Sequence, residues 1–247
     1  MPRVRADLLL VERGLADTRE SARRLIMAGR AKVGTLTLVK PATLLESSVP
    51  IELTSLERYV SRGGLKLEGA LTAFDIDPAG QRCLDLGAST GGFTDCLLQH
   101  GAASVLAVDV GRAQLHQKLR QDPRVTLREG INARDLPELP PIDLFVADLS
   151  FISLRKVLPS VAERVLPGTR GVVLLKPQFE AGPAAVPRGG VIRDGLVHAR
   201  VRDEFVDWAR QEGWEVIAVV ESPLRGGDGN LEFLVHLLSP LAGHTPC

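Results

Sequence analysis

Aromatic side chains are scarce in this sequence, with 7 Phe, 2 Trp and 1 Tyr among 247 residues. Apolar residues still make up 45% of the chain, so a core can form, built mainly from Leu, Val, Ala and Ile. No apolar run approaches the roughly 18 residues that a membrane-spanning helix needs, so no transmembrane segment is expected. Cysteine is sparse too. Cys83, Cys96 and Cys247 form neither a CxxC pair nor an even set, which argues against a disulfide framework and for a reducing cytoplasm; no metal is expected. Met1–Asp7 has no apolar stretch behind it, so no signal peptide is expected.

Excess charge of either sign is also missing, since 30 Lys and Arg balance 30 Asp and Glu. The balance hides an asymmetry. Residues 1–66 carry 12 basic and 7 acidic side chains, and the remainder carries 18 and 23. A basic front end on an acidic body points to contact with a polyanion.

The front end reads as two helices within residues 6–30, followed by short strands. Leu8, Leu9, Val11 and Leu15 form the first apolar stripe, and Gly14 suits the position after a helix end. Asp17 or Thr18 caps a second helix that runs through Ser21, Ala22, Leu25, Ile26 and Ala28 to Gly29. Strands are predicted at Ala31–Val33, Leu36–Val39 and Ile51–Leu53. Arg5–Ala16, Thr18–Arg23, Leu25-Ile26 and Gly29–Val33 together resemble an S4 RNA-binding domain. The resemblance implies a small α+β domain over residues 1–57 that presents Arg5, Arg19, Arg23 and Lys40 to structured RNA, with Arg62 added from the joint that follows. That joint spans residues 58–64, in the run from Leu56 and Glu57 through Tyr59 to Gly63-Gly64.

From residue 65 to 247 the pattern alternates strand and helix. A helix is predicted from Leu65 to Phe74. Strands are predicted at Cys83–Leu86, Ser104–Val110, Val125–Arg128, Leu144–Leu149, Gly171–Pro177, Val216–Val220 and Leu231–Leu238. Helices are predicted at Phe93–His100, Ala113–Arg120, Leu154–Val165 and Leu196–Glu212. The early strands are near-continuous apolar runs, as in a parallel sheet covered on both faces. The last two strands follow each other without a helix and should form a hairpin at one edge. The expected fold class is therefore α/β: a class I, Rossmann-like, seven-stranded methyltransferase domain.

The loop Asp85-Leu86-Gly87-Ala88-Ser89-Thr90-Gly91-Gly92 follows one strand and opens a helix, where doubly wound sheets bind ligands. A dinucleotide site wants G-x-G-x-x-G and a pyrophosphate at the helix N-terminus. Here the spacing is G-x-x-x-G-G, with a carboxylate two residues before the first glycine. That carboxylate suits a cationic ligand, and S-adenosylmethionine carries an ammonium, a sulfonium and no phosphate. Asp109 ends the second strand, 22 residues after Gly87, where it would accept hydrogen bonds from ribose hydroxyls. Asn132 and Ala133, after the third strand, are expected at the adenine edge.

Three methyl-transfer chemistries leave different marks. Cytosine C5 methylation needs a thiolate near the cofactor. Cys83 starts a buried strand, Cys96 lies inside a helix and Cys247 is the last residue, so none fits. Exocyclic amine methylation favours Asp/Asn-Pro-Pro-aromatic after strand four, and Ala147–Phe151 does not match. A ribose 2'-hydroxyl needs a base, and a lysine serves if burial and a nearby cation favour its neutral form. Lys66, Asp148, Lys176 and Glu232 stand at the right topological places: the helix before strand one, the ends of strands four and five, and the start of the last strand.

Seven stretches together resemble the TlyA (hemolysin A-like) family of ribosomal RNA methyltransferases, whose catalytic domain is similar to FtsJ. They are Ser61–Leu67, Asp85–Asp95, Val108–Gly111, Asp148–Ser153, Leu175–Glu180, Gly189–Asp194 and Gly229–Phe233. The resemblance covers nearly the full length. It implies 2'-O-methylation of ribosomal RNA cytidine, with Lys66, Asp148, Lys176 and Glu232 as a catalytic tetrad, ribosomal RNA or subunits as partner and no obligate protein partner. Lys176 would be the base, Lys66 and Asp148 would orient it, and Glu232 would position Lys66. Three rival readings remain: a membrane-active hemolysin, which needs an amphipathic or spanning segment, a non-catalytic ribosome assembly factor, and methylation of another RNA, such as tRNA, by the same chemistry.

Overall fold

The structure is a computed structural model that describes residues 3–27, 29–53, 58–226 and 229–241. Ala28, Leu56, Glu57 and Cys247, all named above, lie outside these ranges. The chain divides into two compact units, Met1–Arg58 and Tyr59–Cys247.

In the first unit β1 (Arg3–Arg5) leads into α1 (Ala6–Glu12), and α2 (Arg19–Met27) follows. Then come β2 (Ala31–Val33), β3 (Leu36–Leu38), β4 (Leu44–Glu46) and β5 (Glu52–Leu53). β1 pairs antiparallel with β4, and β2 pairs antiparallel with β3 and β5. The cap expected at Asp17 or Thr18 is Thr18, whose Oγ1 accepts the Ser21 N–H at 3.1 Å. The buried face of α1 differs from the expected stripe. Ala6, Leu9 and Leu10, at i, i+3 and i+4, pack on Ala22 and Ile26, whereas Leu8 is 37% exposed. Asp7 turns inward as well, because Arg5 and Arg19 supply its counter-charges.

The second unit begins with α3 (Gly63–Ala73), β6 (Arg82–Leu86), α4 (Gly92–Gln99), β7 (Ser104–Asp109), α5 (Gln117–Arg120) and β8 (Val125–Glu129). It continues with β9 (Leu144–Ala147), α6 (Leu158–Ala162), β10 (Arg170–Leu175), α7 (Pro177–Glu180), α8 (Gly195–Gln211), β11 (Glu215–Glu221) and β12 (Phe233–Leu238). One seven-stranded sheet runs in the order β11-β12-β10-β9-β6-β7-β8, and β12 is antiparallel to both its neighbours. This is the expected class I arrangement with its edge hairpin. Alternate residues feed two separate cores. Cys83, Val105, Val146 and Leu174 face one way, and Leu84, Leu106, Phe145 and Val173 face the other. Each such Leu, Val or Phe contributes about 1.5–3 kcal/mol by leaving water.

Several boundaries move for local reasons. The helix expected over Ala113–Arg120 keeps only its last turn, because Ala113 sits at φ 58° and its N–H donates to Glu129 Oε1. The helix expected over Leu154–Val165 breaks into a 3-10 turn at 154–156 and then α6, with Pro159 in the first turn of α6. Strands β9 and β10 stop at Ala147 and Leu175, and β12 starts at Phe233. Asp148, Lys176 and Glu232 therefore stand one residue outside their strands. The Tyr59 ring is buried in this unit against Gly64, where a Cβ would fall 2.2 Å from Tyr59 Cγ.

Candidate active site

The strand order turns at β6 and β9, which are neighbours in the sheet, and the loops at their carboxyl ends face a common crevice. The β6–α4 loop shapes one wall. Gly87 takes φ 82°, and a Cβ there would sit 2.6 Å from the Asp148 carbonyl oxygen. Gly91 takes φ 99° beneath Leu119, whose Cδ1 would meet a Cβ at 2.2 Å. Any larger residue at either position would push the loop off the sheet.

Two cavities meet at this wall. The larger, of about 910 Å³, is lined by Gly87, Ser89, Asp109, Asn132 and Ala133, with Asp148, Phe151, Gln178 and Phe179 opposite. The smaller, of about 280 Å³, is lined by Gly87, Ala88, Ser89 and Gly92 together with Arg62, Lys66, Asp148, Ser150 and Lys176. Asp85 and Gly91 line neither. Asp85 is wholly buried under the loop, and its Oδ2 accepts the Thr94 hydroxyl at 2.6 Å. Burial pushes its carboxyl up to about 7; the charges of Asp148 and Asp109 act in the same direction, and the Thr94 hydrogen bonds oppose it. Its Oδ1 has no hydrogen-bond partner among the described residues. Asp109 ties the loop to the end of β7, accepting Ser89 N–H at 2.7 Å and Gly111 N–H at 2.6 Å. Asn132 Oδ1 accepts Arg134 N–H at 3.1 Å, which fixes the turn that carries Ala133.

Four chain segments bring two lysine–carboxylate pairs together. Lys66, in the first turn of α3, contacts Glu232 directly through Nζ and Oε2. Lys176 Nζ lies 2.7 Å from Asp148 Oδ1 and donates to Ser150 Oγ at 3.0 Å. The contact with Asp148 is an ion pair without hydrogen-bond alignment, since Oδ1 has no hydrogen-bond partner. Lys66, Asp148 and Lys176 share the smaller cavity, and Glu232 stands outside its lining.

The structure also brings forward residues that spacing did not single out. Phe151 is 92% exposed and holds φ 64°, a region costly for an aromatic residue. Its ring lies 5.3 Å from that of Phe179, over which Lys176 Nζ stands at 6.0 Å. A sequence poor in aromatics thus places two of its phenylalanines at the mouth of one cavity. Glu180 clamps the loop behind them, accepting the Ser153 hydroxyl at 2.6 Å and the Leu154 N–H at 2.7 Å.

In the first unit Arg5 Nη2 lies 2.9 Å from Asp7 Oδ2, and Arg19 Nε lies 3.1 Å from the same oxygen. Hydrogen bonding to Arg5, aided by Arg19, holds the Asp7 carboxyl well below the usual carboxylate range despite its burial. Arg23 is exposed and lines a surface cavity with Arg19, Arg24 and Met27. Lys40 is exposed after β3.

The family model of FtsJ-like methyltransferases matches residues 59–238. The chain belongs to this family. Among curated relatives, 16S/23S rRNA (cytidine-2'-O)-methyltransferase TlyA of Mycobacterium tuberculosis is 48% identical over 240 residues, covering 95% of this chain and 90% of the relative. Hemolysin A of Brachyspira hyodysenteriae is 38% identical over 241 residues, covering 95% of this chain and all of the relative. A solved structure of a hemolysin-named protein from Streptococcus thermophilus superposes with a TM-score of 0.74 at 41% identity, covering 97% of this chain and 90% of that one. The methyltransferase unit uses S-adenosylmethionine. Its crevice suits that molecule. The volume is in the range of small-molecule sites, the N-terminus of α4 carries no side-chain cap and so offers N–H donors to a carboxylate, and Asp85 Oδ1 is a buried acceptor in need of a donor.

Proposed function

We propose that this chain methylates the 2'-hydroxyl of cytidine in ribosomal RNA. The observation that carries the proposal is the pairing of Lys66 with Glu232 and of Lys176 with Asp148 beside a cavity that opens onto the cofactor crevice. The cofactor, when bound, supplies an electrophilic methyl group. Gly87, Ala88, Ser89, Gly91 and Gly92 would cradle it, Asp109 would hold its ribose, Asn132 and Ala133 its adenine, and Asp85 would act from beneath the loop on its ammonium. Lys176 Nζ first releases its own proton to solvent; as a neutral amine it then removes the 2'-hydroxyl proton, and the ammonium that forms again is met by Asp148. Ser150 Oγ holds the Nζ in line. Lys66 brings a second positive charge to the same cavity, and Glu232 keeps it there. Most of the remaining acceleration is positioning.

A paired cytidine must leave its stack to reach this depth, at a cost of a few kcal/mol. The exposed Phe151 ring offers a face on which the extruded base can stack. Residues 1–57 serve as an S4-like RNA-binding domain, with 58–64 as the joint and 65–247 as the catalytic part. Arg23, Lys40 and Arg62 would contact phosphates. Arg5 and Arg19 would do so while anchored to Asp7. With ribosomal RNA as substrate the protein would act in the cytoplasm. The rival membrane-lytic reading rests on hemolysin names; no helix of the described residues is long and apolar enough to cross a membrane. The test is transfer of labelled methyl groups to separated ribosomal subunits, followed by mass mapping of the modified ribose. Methyl groups on a base, or none on RNA, would overturn the proposal.

A further inference from the structure

The Gly189–Asp194 stretch has no part in the mechanism above, yet the fold pins its backbone with two buried polar side chains. Asn230, 1% exposed, accepts the Ile192 N–H at 3.0 Å and donates to the Gly190 carbonyl at 2.9 Å. His198, 6% exposed, bonds the Ile192 carbonyl through Nε2 at 3.1 Å. Burying polar side chains is unfavourable unless their hydrogen bonds are met. Here they are met by the main chain of a surface loop, which fixes where Arg193 emerges. Arg193 and Arg225 line one cavity of about 410 Å³, with His198 and Leu231 and with no carboxylate among its described lining residues. Arg193 also lines an adjoining cavity of about 480 Å³ with Arg188 and Asp194, whose Oδ1 is engaged by the Leu196 N–H. None of the three arginines forms an ion pair with a described residue.

This cationic pair lies beside Glu232, the partner of Lys66. Leu231 of the cavity precedes Glu232, and Arg225 precedes Gly226, where a Cβ would fall 2.5 Å from Glu232 Oε1. We infer that Arg193 and Arg225 form a phosphodiester-binding site that grips the RNA strand beside the target nucleotide, with Arg188 extending the grip along the backbone. Two guanidinium forks on a prearranged loop suit a phosphate group, and such a contact sets the register of the strand without reading its sequence. The inference rests on the proposal that a ribose of RNA enters the Lys176 cavity.

The experiment uses the full chain with ribosomal RNA, measuring binding in the presence of S-adenosylhomocysteine at several salt concentrations, and methylation separately. Arg193→Gln and Arg225→Gln should each weaken RNA binding about tenfold and flatten the slope of log affinity against log salt by roughly the 0.7–0.9 expected for one lost phosphate contact. KM for RNA should rise while kcat at saturating RNA and cofactor affinity stay unchanged. Arg193→Lys should keep most of the affinity. The inference is overturned if the double variant binds RNA with unchanged affinity and slope, if affinity falls without a change in slope, or if kcat alone falls. If wild-type protein binds RNA with this salt signature but methylates a base, the proposed function fails and the phosphate site stands.

Discussion

Lys66 Nζ is in direct contact with Glu232 Oε2 although 166 residues separate the two, and their side chains are only 9% and 2% exposed. A buried pair of this kind gains little net stability over an apolar pair, but breaking it leaves one charge stranded. Glu232→Ala should therefore lower the free energy of unfolding by about 3–5 kcal/mol. Lys66→Met combined with Glu232→Leu should recover most of that loss while abolishing methylation. Urea unfolding of both single variants and the double variant checks this; losses that simply add would show that the two residues are not coupled.

Asp85 makes stability depend on pH in the opposite sense to a surface carboxylate. Burial holds its folded pKa at about 7, above the ordinary carboxylate value of 3.8. The folded protein holds a proton that the unfolded chain has released, so the contribution is present below pH 4 and is lost as pH rises through 7. The full change is on the order of 4 kcal/mol. Asp85→Asn should flatten this decline and unfold at higher urea than wild type at pH 8. It should also weaken cofactor binding at pH 8, because a carboxylate beneath the loop attracts the ammonium through its charge and an amide does not. Parallel pH–stability curves for the two proteins would refute the assignment.

Much of the second unit was legible in the sequence because its strands are continuous apolar runs, and burial on both faces leaves few other ways to use them. That Lys66 would meet Glu232 and that Asp148 would meet Lys176 was legible because one lies on the helix before the first strand of the sheet and the other three flank strands that end at the same crevice. What escaped reading depends on contacts remote in sequence. Asp7 looks like a solvated helix residue until Arg19 closes over it. Ala113 has no sequence signal for a left-handed backbone, which the bond from its N–H to Glu129 helps to fix. Asp85 was expected to face the ligand directly, and the packing of α4 through Thr94 sets it beneath the loop. Pro159 was the exception: its place inside a predicted helix was a visible signal for the break.

Phe151 gives a prediction in which stability and activity part company. A residue 92% exposed contributes little burial, and its left-handed φ costs about 1–3 kcal/mol for a non-glycine side chain. Phe151→Gly should raise the melting temperature. If the ring stacks on the extruded base, the same substitution should lower kcat/KM for ribosomal RNA about 5- to 100-fold, the equivalent of one stacking contact. Cofactor affinity should stay within twofold of wild type. Phe151→Trp should retain activity. Full activity in the glycine variant would remove the stacking role.

The proposed proton transfer stands or falls on Lys176. Its Nζ is held by Asp148 at 2.7 Å and by Ser150 at 3.0 Å, so removing the amine leaves the carboxylate in the cavity with nothing to accept a proton efficiently at neutral pH. Lys176→Ala should bind cofactor and RNA normally and lose about 10²- to 10⁴-fold in kcat, the usual worth of a positioned base. Hydroxide is then the remaining base, so the residual rate should climb with pH at a slope of about one on a logarithmic scale. Ser150→Ala should cost far less, because it loosens the amine without removing it. Single-turnover methyl transfer on ribosomal subunits between pH 6 and 9 separates these outcomes. A pH-independent residual rate in Lys176→Ala would point instead to Asp148 as the proton acceptor, with Lys176 acting only through its charge.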